Sequence, residues 1–446
     1  MNRDLTQGPV TKSMLLFALP MILGNLLQQF YNVADTLIVG QFLGSTALAA
    51  VGSSYTLMTF LTSILLGMCM GSGAVFSIRF GEGDLPRLKN SLSLSFLLIG
   101  GFTVALNVAV FLLIDPMMAL LQVPADVIPL MRSYLWVIFW GIGGTFLYNY
   151  FASLLRAVGN SATPLVFLGV SAVLNIVLDL VFVVAVPWGV AGAAFATSFS
   201  QWVSGVGLLV YTWKRMAHLR PSRRDVYWKR DRVGEIARFS LLTCVQQSVM
   251  NFGILMVQGL VNSFGTVVMA AFAAAVKIDS FAYMPVQDFG NAFSTFIAQN
   301  YGAKRMDRVG RGIKSAAVSS VVFALLISVL VFVFAKPLLL LFVKPEETEI
   351  LAVGVQYLRI EGAFYFGIGI LFLLYGLYRA IERPGMSLVL TVISLGTRVA
   401  LAYILSAIPA IGVVGIWWSV PIGWALADVT GVLYYKKLRG QLAGRP

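Results

Sequence analysis

Long apolar segments alternate with short polar ones along the whole chain. The stretch from Phe96 to Ile114 contains no charged residue, and a run of about 18 apolar residues is long enough to cross a bilayer. The first such window is too long and too polar for the apolar part of a cleavable signal. The pattern predicts an all-α integral membrane protein with twelve transmembrane helices, at about residues 14–40, 52–78, 92–114, 130–152, 163–185, 190–213, 236–261, 267–298, 315–335, 353–378, 386–408 and 412–435.

Composition and charge agree with this prediction. Of the 446 residues, 59% are hydrophobic and 11% are charged, whereas a soluble domain carries about 25% charged residues. Successive loops between the predicted helices lie on alternating sides of the membrane. The loops and tails of one side hold 26 of the 32 Lys and Arg residues, and the loops of the opposite side hold only Lys336 and Lys344. Positive charge marks the cytoplasmic side. We therefore expect both termini in the cytoplasm, an inner or plasma membrane location, and no binding to nucleic acid despite the net charge of +13.

The longest polar segment divides the predicted helices into six and six. It runs from Lys214 to Arg238 and contains nine basic residues. We expect an amino-terminal lobe at 1–213, a cytoplasmic linker at 214–235 and a carboxy-terminal lobe at 236–446. The linker is either a solvated loop or a contact for anionic lipid headgroups, so membrane lipids are among the expected partners.

The two halves repeat each other at a nearly constant spacing. Gly81 and Pro116 match Gly302 and Pro337, 221 residues later, and from Tyr134, which matches Tyr357, the spacing is 223. Six helices per repeat place both repeats in the same membrane orientation, so the repeats are parallel. Parallel repeats around a midplane site are a common transporter design, which works by rocking of one half against the other.

The first half carries polar residues inside its predicted helices. Charged residues at the centre of a membrane helix cost roughly 2.5–3.5 kcal/mol on insertion scales, so each is a candidate functional residue. Spacings of three and four place the polar residues of helix 1 on one face, and those of helix 5 on another. The candidates are Asn25, Gln28, Asn32 and Asp35 in helix 1, Tyr134 in helix 4, Asn175 and Asp179 in helix 5, and Thr197 in helix 6.

The two acids of this set have no acidic counterpart in the second half. Asp35 matches Met256, and Asp179 matches Ala402. A residue needed only for the fold would be favoured in both halves, so the asymmetry indicates a specific task. Two neighbouring carboxylates in a low dielectric disfavour the doubly charged state, and such a pair can exchange a proton or hold Na⁺. The alternative is that both acids only satisfy buried polar groups.

The second half has a polar set of its own. Its charges either neutralise one another in a buried network or line a substrate cavity. The set comprises Gln247, Asn251, Gln258, Lys277, Asp279, Gln287, Asp288, Asn291, Arg359, Glu361, Arg398 and Asp428. As residues of the substrate cavity we expect Gln28, Asn32, Gln247, Asn251, Gln258, Asp279, Gln287 and Glu361.

Several segments resemble the multidrug and toxin extrusion (MATE) family. They are Leu5-Thr6-Gln7-Gly8-Pro9, Phe17-Ala18-Leu19-Pro20, Tyr31-Asn32-Val33-Ala34-Asp35-Thr36, Val39-Gly40, Leu48-Ala49-Ala50-Val51-Gly52, Asn300-Tyr301-Gly302-Ala303 and Tyr378-Arg379-Ala380. The resemblance covers nearly the whole chain and implies a 6+6 fold that exports organic cations, drugs or metabolites, coupled to H⁺ or Na⁺.

Within this family the first-half residues resemble the DinF-type branch. That resemblance implies a cation-coupling site at Asp35, Asp179, Asn175, Thr197 and Tyr134, with Na⁺ as a candidate ligand of Asp35, Asn175, Asp179 and Thr197, and it implies that helix 1 bends at Pro20. The NorM-type branch uses acids in helices 7 and 10. Here helix 7 has Gln246 and Gln247 instead, and Glu361 is the only partial match.

The expected function is therefore a cation-coupled antiporter for xenobiotic or multidrug efflux that works by alternating access. We expect no enzymatic activity, no cofactor beyond the coupling ion, and a monomer. One alternative is a lipid-linked oligosaccharide flippase of the same superfamily. Another is a membrane-embedded prenyltransferase-like enzyme, but its paired metal-binding aspartates are not found in this sequence.

Overall fold

The computed structural model describes residues 4–121 and 123–443, and all regular elements within these ranges are helical. The α-helices are α1 (Val10–Leu43), α2 (Ser45–Gly81), α3 (Leu85–Leu112), α4 (Ile114–Leu120), α5 (Ile128–Ile138), α6 (Ile142–Ala157), α7 (Ala162–Asp179), α8 (Val190–Arg215), α9 (Arg230–Asn262), α10 (Thr266–Gly302), α11 (Met306–Val333), α12 (Ala335–Leu339), α13 (Thr348–Gly362), α14 (Tyr365–Ala380), α15 (Pro384–Ser406) and α16 (Val414–Ala443). A π-helix, Leu180–Ala185, continues α7, and short 3-10 helices lie at Phe139–Gly141, Ala217–Leu219 and Arg223–Asp225.

These helices account for the predicted spans. In the described ranges, eleven helical segments are long and apolar enough to cross a membrane, and the pair α13 and α14, bent by 50°, makes the twelfth. The all-α membrane fold class is therefore confirmed. Helices α2 and α10 have 37 residues each and begin at Ser45 and Thr266, before the predicted starts at 52 and 267.

The internal repeat is visible in element lengths and in the backbone. Helices α3 and α11 have 28 residues each. Gly44 and Gly265 cap the following helices with positive φ angles of 87° and 97°, and Gly189 and Gly412 have φ angles of 63° and 55°. These backbone conformations are costly for residues with a Cβ. The glycines of the first pair are 221 residues apart and those of the second pair are 223 apart, which are the two spacings of the sequence repeat.

The chain forms two compact units whose limits differ from the expected lobes. Residues 19–244 belong to the first unit, whereas residues 5–18 and the residues from Val245 onward belong to the second. Helix α1 therefore starts in the second unit and enters the first beside Pro20. Helix α9 starts in the first unit and continues into the second.

Close backbone packing holds the start of α9 in the first unit. A Cβ at Gly71 of α2 would lie 2.8 Å from Cα of Ser240, so the glycine lets α9 lie directly against α2. At the end of α2, Arg79 is buried and pairs with Glu82 and with Glu235 of α9. The missing side chain of Gly71 and the ion pairs of Arg79 therefore both favour the contact between α2 and α9.

An equivalent arrangement holds residues 5–18 in the second unit. The buried Arg308 of α11 donates hydrogen bonds to the carbonyl oxygens of Leu5 (3.1 Å), Gln7 (3.0 Å) and Gly8 (2.8 Å). Asn300 also donates to the carbonyl of Leu5, at 3.1 Å. Backbone acceptors of the turns that precede α1 are thus satisfied by side chains of the second repeat.

Candidate functional site

The centre of the candidate site is a pair of carboxyl groups in the first unit. Asp35 lies in the second half of α1, and Asp179 is the last residue of α7. The side chain of Asp179 is fully buried, and the two carboxyl groups lie close enough to interact electrostatically. Two buried carboxyl groups at such close range disfavour the state in which both are charged. The structure therefore brings together the two acids that occur only in the first repeat.

A change of helix type follows Asp179 directly. The α-helical hydrogen bonding of α7 ends there, and the π-helix Leu180–Ala185 begins. Short π-helical insertions are frequent at functional sites because they reorient side chains within a helix. Asn175 lies four residues earlier and hence on the same face as Asp179.

Asn175 connects the acid pair to α8. Its Nδ2 donates a hydrogen bond to Oγ1 of Thr197 across 3.2 Å, and its side chain is 2% exposed. Because the amide nitrogen points at Thr197, the amide oxygen remains available as an acceptor.

Two tyrosines complete the surroundings of the acids. Tyr134 of α5 is buried and lies close enough to Asp35, Asp179 and Tyr31 to interact with them electrostatically. Tyr31 of α1 lies close enough to both acids to interact with them electrostatically. The sequence analysis missed Tyr31 as a site residue, although its position four residues before Asp35 places it on the same helical face.

The donor set consists of oxygen atoms. Asp35 Oδ1, both carboxyl oxygens of Asp179 and Asn175 Oδ1 are buried and accept no hydrogen bond from the described residues. Buried acceptors without a donor are costly, and carboxylate and amide oxygens are ligands that hard cations prefer. The residues present therefore fit either a proton shared by the acids or a small hard cation such as Na⁺.

Helix α1 is continuous through Pro20, and the bend at this residue stays a prediction. Proline has no N–H, so the carbonyl four residues earlier loses its helical donor, which makes the position a weak point of α1. Gln28 is exposed and Asn32 is half-buried, and the Asn32 carbonyl accepts a hydrogen bond from Thr36 at 2.8 Å.

The second unit contains a separate polar cluster. The buried Asp279 of α10 accepts hydrogen bonds from Tyr365 (2.5 Å) and Tyr357 (3.4 Å). Glu361 of α13 is buried beside Asp279, and Arg398 of α15 is near enough to both to balance part of their charge. By the 223-residue spacing, Arg398 and Tyr357 are the counterparts of Asn175 and Tyr134. The two repeats thus place polar clusters at equivalent helices, with different chemistry.

The remaining predicted cavity residues lie along α9 and α10. Asn251 donates to the carbonyl of Gln247 at 3.2 Å, and Gln258 donates to Asn262 at 2.8 Å, so these contacts stay within α9. Gln287 is a half-buried residue of α10.

Comparison with known proteins covers both repeats. The family model described as MatE matches residues 20–181 and 242–404. The chain is similar to two proteins of Bacillus subtilis (strain 168). It is 32% identical over 435 residues to the probable multidrug resistance protein YpnP, covering 97% of this chain and 96% of YpnP. It is 29% identical over 442 residues to the probable multidrug resistance protein YoeA, covering 96% and 94%. Its fold is similar to the crystal structure of MATE in complex with MaL6, with a TM-score of 0.92, 22% identity and 99% coverage of both chains.

Proposed function

Because the chain belongs to the MATE family of multidrug efflux transporters, we propose that it is an antiporter that exports organic cations, drugs or metabolites in exchange for H⁺ or Na⁺. We further propose that it works in the plasma membrane with both termini in the cytoplasm. This orientation is supported by the 26 basic residues on one set of loops against two on the other. The names of the two Bacillus relatives favour drug export over the flippase and prenyltransferase alternatives.

The Asp35–Asp179 pair is the observation that carries the proposal. It places a carboxyl group of α1 beside one of α7 in a membrane-spanning unit, where an uncompensated charge is expensive. A bound proton or Na⁺ lowers that cost, and loss of the cation restores it. The stability of the α1–α7 contact therefore depends on cation binding, which is the requirement for coupling an ion gradient to a conformational change.

The proposed cycle uses this dependence. A cation enters the pocket formed by Asp35, Asp179 and Asn175 from the outside, α1 bends near Pro20, and the substrate leaves. Return to the inward state releases the cation to the cytoplasm. Each positive charge that moves inward gains about 2.3 kcal/mol per 100 mV of membrane potential. A cationic substrate can pair with the same carboxylates, so that substrate and coupling ion compete.

The test is export of a fluorescent organic cation, ethidium, from intact cells. An outside-acid pH gradient and an outside-high Na⁺ gradient are imposed separately on wild type, Asp35→Asn and Asp179→Asn. Asp115→Asn is the matched control, because Asp115 is an exposed acid of the same unit, paired with Arg132 at 3.2 Å.

Gradient-driven export that is lost in both site variants and retained in the control supports the proposal, and the effective gradient identifies the coupling ion. Full export by Asp35→Asn, with normal membrane levels, would overturn it. Export by the wild type that responds to neither gradient would show that the acids have another role.

A further inference from the structure

A groove on the surface of α7 and α8 has an open, apolar lining. Its volume is about 700 Å³, and its walls include Phe167, Trp202, Val206 and Val210. Val206 and Val210 are 43% and 40% exposed. The groove is deepened by Gly207, since a Cβ at this position would lie 2.5 Å from the ring of Phe167. The glycine lets that ring approach α8 closely.

Two basic residues stand at one end of this groove. Lys214 and Arg215 are exposed, line the groove and end α8. Neither forms an ion pair with any residue in the described ranges. A carbonyl of the last turn, that of Trp213, is already satisfied by Arg220, which donates to it at 2.5 Å and stacks on the Trp213 ring at 4.6 Å. Lys214 and Arg215 are therefore available to an external anion.

The length of the groove fits one lipid leaflet. From Trp202 to Lys214 the helix rises by about 18 Å at 1.5 Å per residue, and one leaflet of the hydrocarbon core is roughly 15 Å thick. An acyl chain that lies along the groove would thus reach from the membrane interior to the two basic residues.

We propose that this groove binds one anionic phospholipid, with an acyl chain along Val206 and Val210 and the phosphate on Lys214 and Arg215. Basic pockets on the cytoplasmic side of membrane helices recognise anionic headgroups in this way. The apolar walls and the unpaired cations together select a lipid that carries both a long chain and a negative charge.

The second repeat lacks the same combination. At the 223-residue spacing, Lys437 preserves the charge of Lys214, but Leu438 replaces Arg215 and Thr430 replaces Gly207. The groove and its second basic residue are therefore features of the first repeat, and the repeat fold itself does not require them.

The experiment measures lipid binding to the full-length protein in detergent by native mass spectrometry. Phosphatidylglycerol is compared with phosphatidylcholine of the same acyl chains. The variants are Lys214→Ala/Arg215→Ala, which removes the charges, and Val210→Trp, which fills the groove from its exposed side. The control is Lys436→Ala/Lys437→Ala, which removes the same charge from two exposed positions of α16.

Each basic residue at an anionic membrane surface contributes about a fivefold gain, so the double alanine variant is expected to bind phosphatidylglycerol about thirtyfold more weakly. Val210→Trp is also expected to weaken the binding of phosphatidylglycerol. The α16 control is expected to leave this binding unchanged. Equal affinity of wild type for both lipids would overturn the proposal. So would an equal loss in the α16 control, since it would indicate a general effect of surface charge.

Discussion

Asn175 donates a hydrogen bond from Nδ2 to the hydroxyl of Thr197, 3.2 Å away and 22 residues later. This contact joins α7 to α8 one helical turn from Asp179. It also fixes the orientation of the Asn175 amide, because the nitrogen is used while the oxygen accepts no hydrogen bond from the described residues. The side-chain arrangement around the acid pair is therefore supported by a neighbouring helix.

Loss of this hydrogen bond is expected to weaken coupling-ion binding. A net contribution of about 0.5–1.5 kcal/mol predicts a two- to tenfold higher half-saturating ion concentration for Asn175→Ala, and a smaller effect for Thr197→Ala, which leaves the amide oxygen in place. The double variant should be no worse than Asn175→Ala, because both changes break one bond. Ion-dependent export provides the measurement.

The control for this cycle is Ser171→Ala. Ser171 also lies on α7 and donates to the carbonyl of Ser200 in α8 at 2.9 Å, but it lies eight residues before Asp179. An equal change in ion dependence for this variant would show that general α7–α8 packing, and not the site, is being measured.

The cluster of the second unit gives a prediction from its two unequal hydrogen bonds. Tyr365→Phe removes the 2.5 Å bond to Asp279, and Tyr357→Phe removes the 3.4 Å bond. Hydrogen bonds to charged groups contribute about 1.5–3 kcal/mol, and long ones contribute less. We expect Tyr365→Phe to lower the apparent melting temperature in detergent more than Tyr357→Phe. The reverse order would mean that the packing around Tyr357, not the bond to Asp279, dominates.

Arg308 should be a main stabiliser of the amino-terminal segment. Arg308→Ala removes the donors to the carbonyls of Leu5, Gln7 and Gly8, and buried acceptors left unsatisfied cost about 1–3 kcal/mol. Limited proteolysis should show faster cleavage in the segment before α1. Arg311→Ala is the control, because Arg311 is exposed and pairs only locally with Asp307, a contact of about 0.3–0.5 kcal/mol. If the Arg308→Ala and Arg311→Ala variants were cleaved equally slowly before α1, Arg308 would not be a main stabiliser of this segment.

The contact between α2 and α9 should be intolerant of a side chain at Gly71. Gly71→Ala places a Cβ against the α9 backbone near Ser240, and overpacking of this kind costs about 1–3 kcal/mol. Gly52→Ala in the same helix meets nothing within 4 Å, and it should stabilise α2 slightly through better helix propensity. Thermal unfolding of the two purified variants distinguishes them, and a neutral Gly71→Ala would show that α9 can move away from α2.

Part of the site could be predicted from local spacing. The four-residue spacing of Asn175 and Asp179 sets a shared face, and the polar face of α1 includes Asp35 because helix geometry repeats every 3.6 residues. Tyr31 could have been found by the same rule. The pairing of Asp279 with Glu361 could not, since the two residues lie on α10 and α13 and no periodicity connects them.

The sequence by itself determined the membrane class, the number of spans and the internal repeat. These follow from the length of apolar runs and from a constant spacing, both of which are properties of the linear chain. Only the tertiary structure decided that Asp35 meets Asp179, that a π-helix follows Asp179, and that residues 5–18 and the start of α9 belong to the opposite repeat's unit. Those outcomes depend on side-chain contacts between distant segments, such as Arg308 with Leu5, and on backbone approach at glycines, neither of which has a signature in hydropathy.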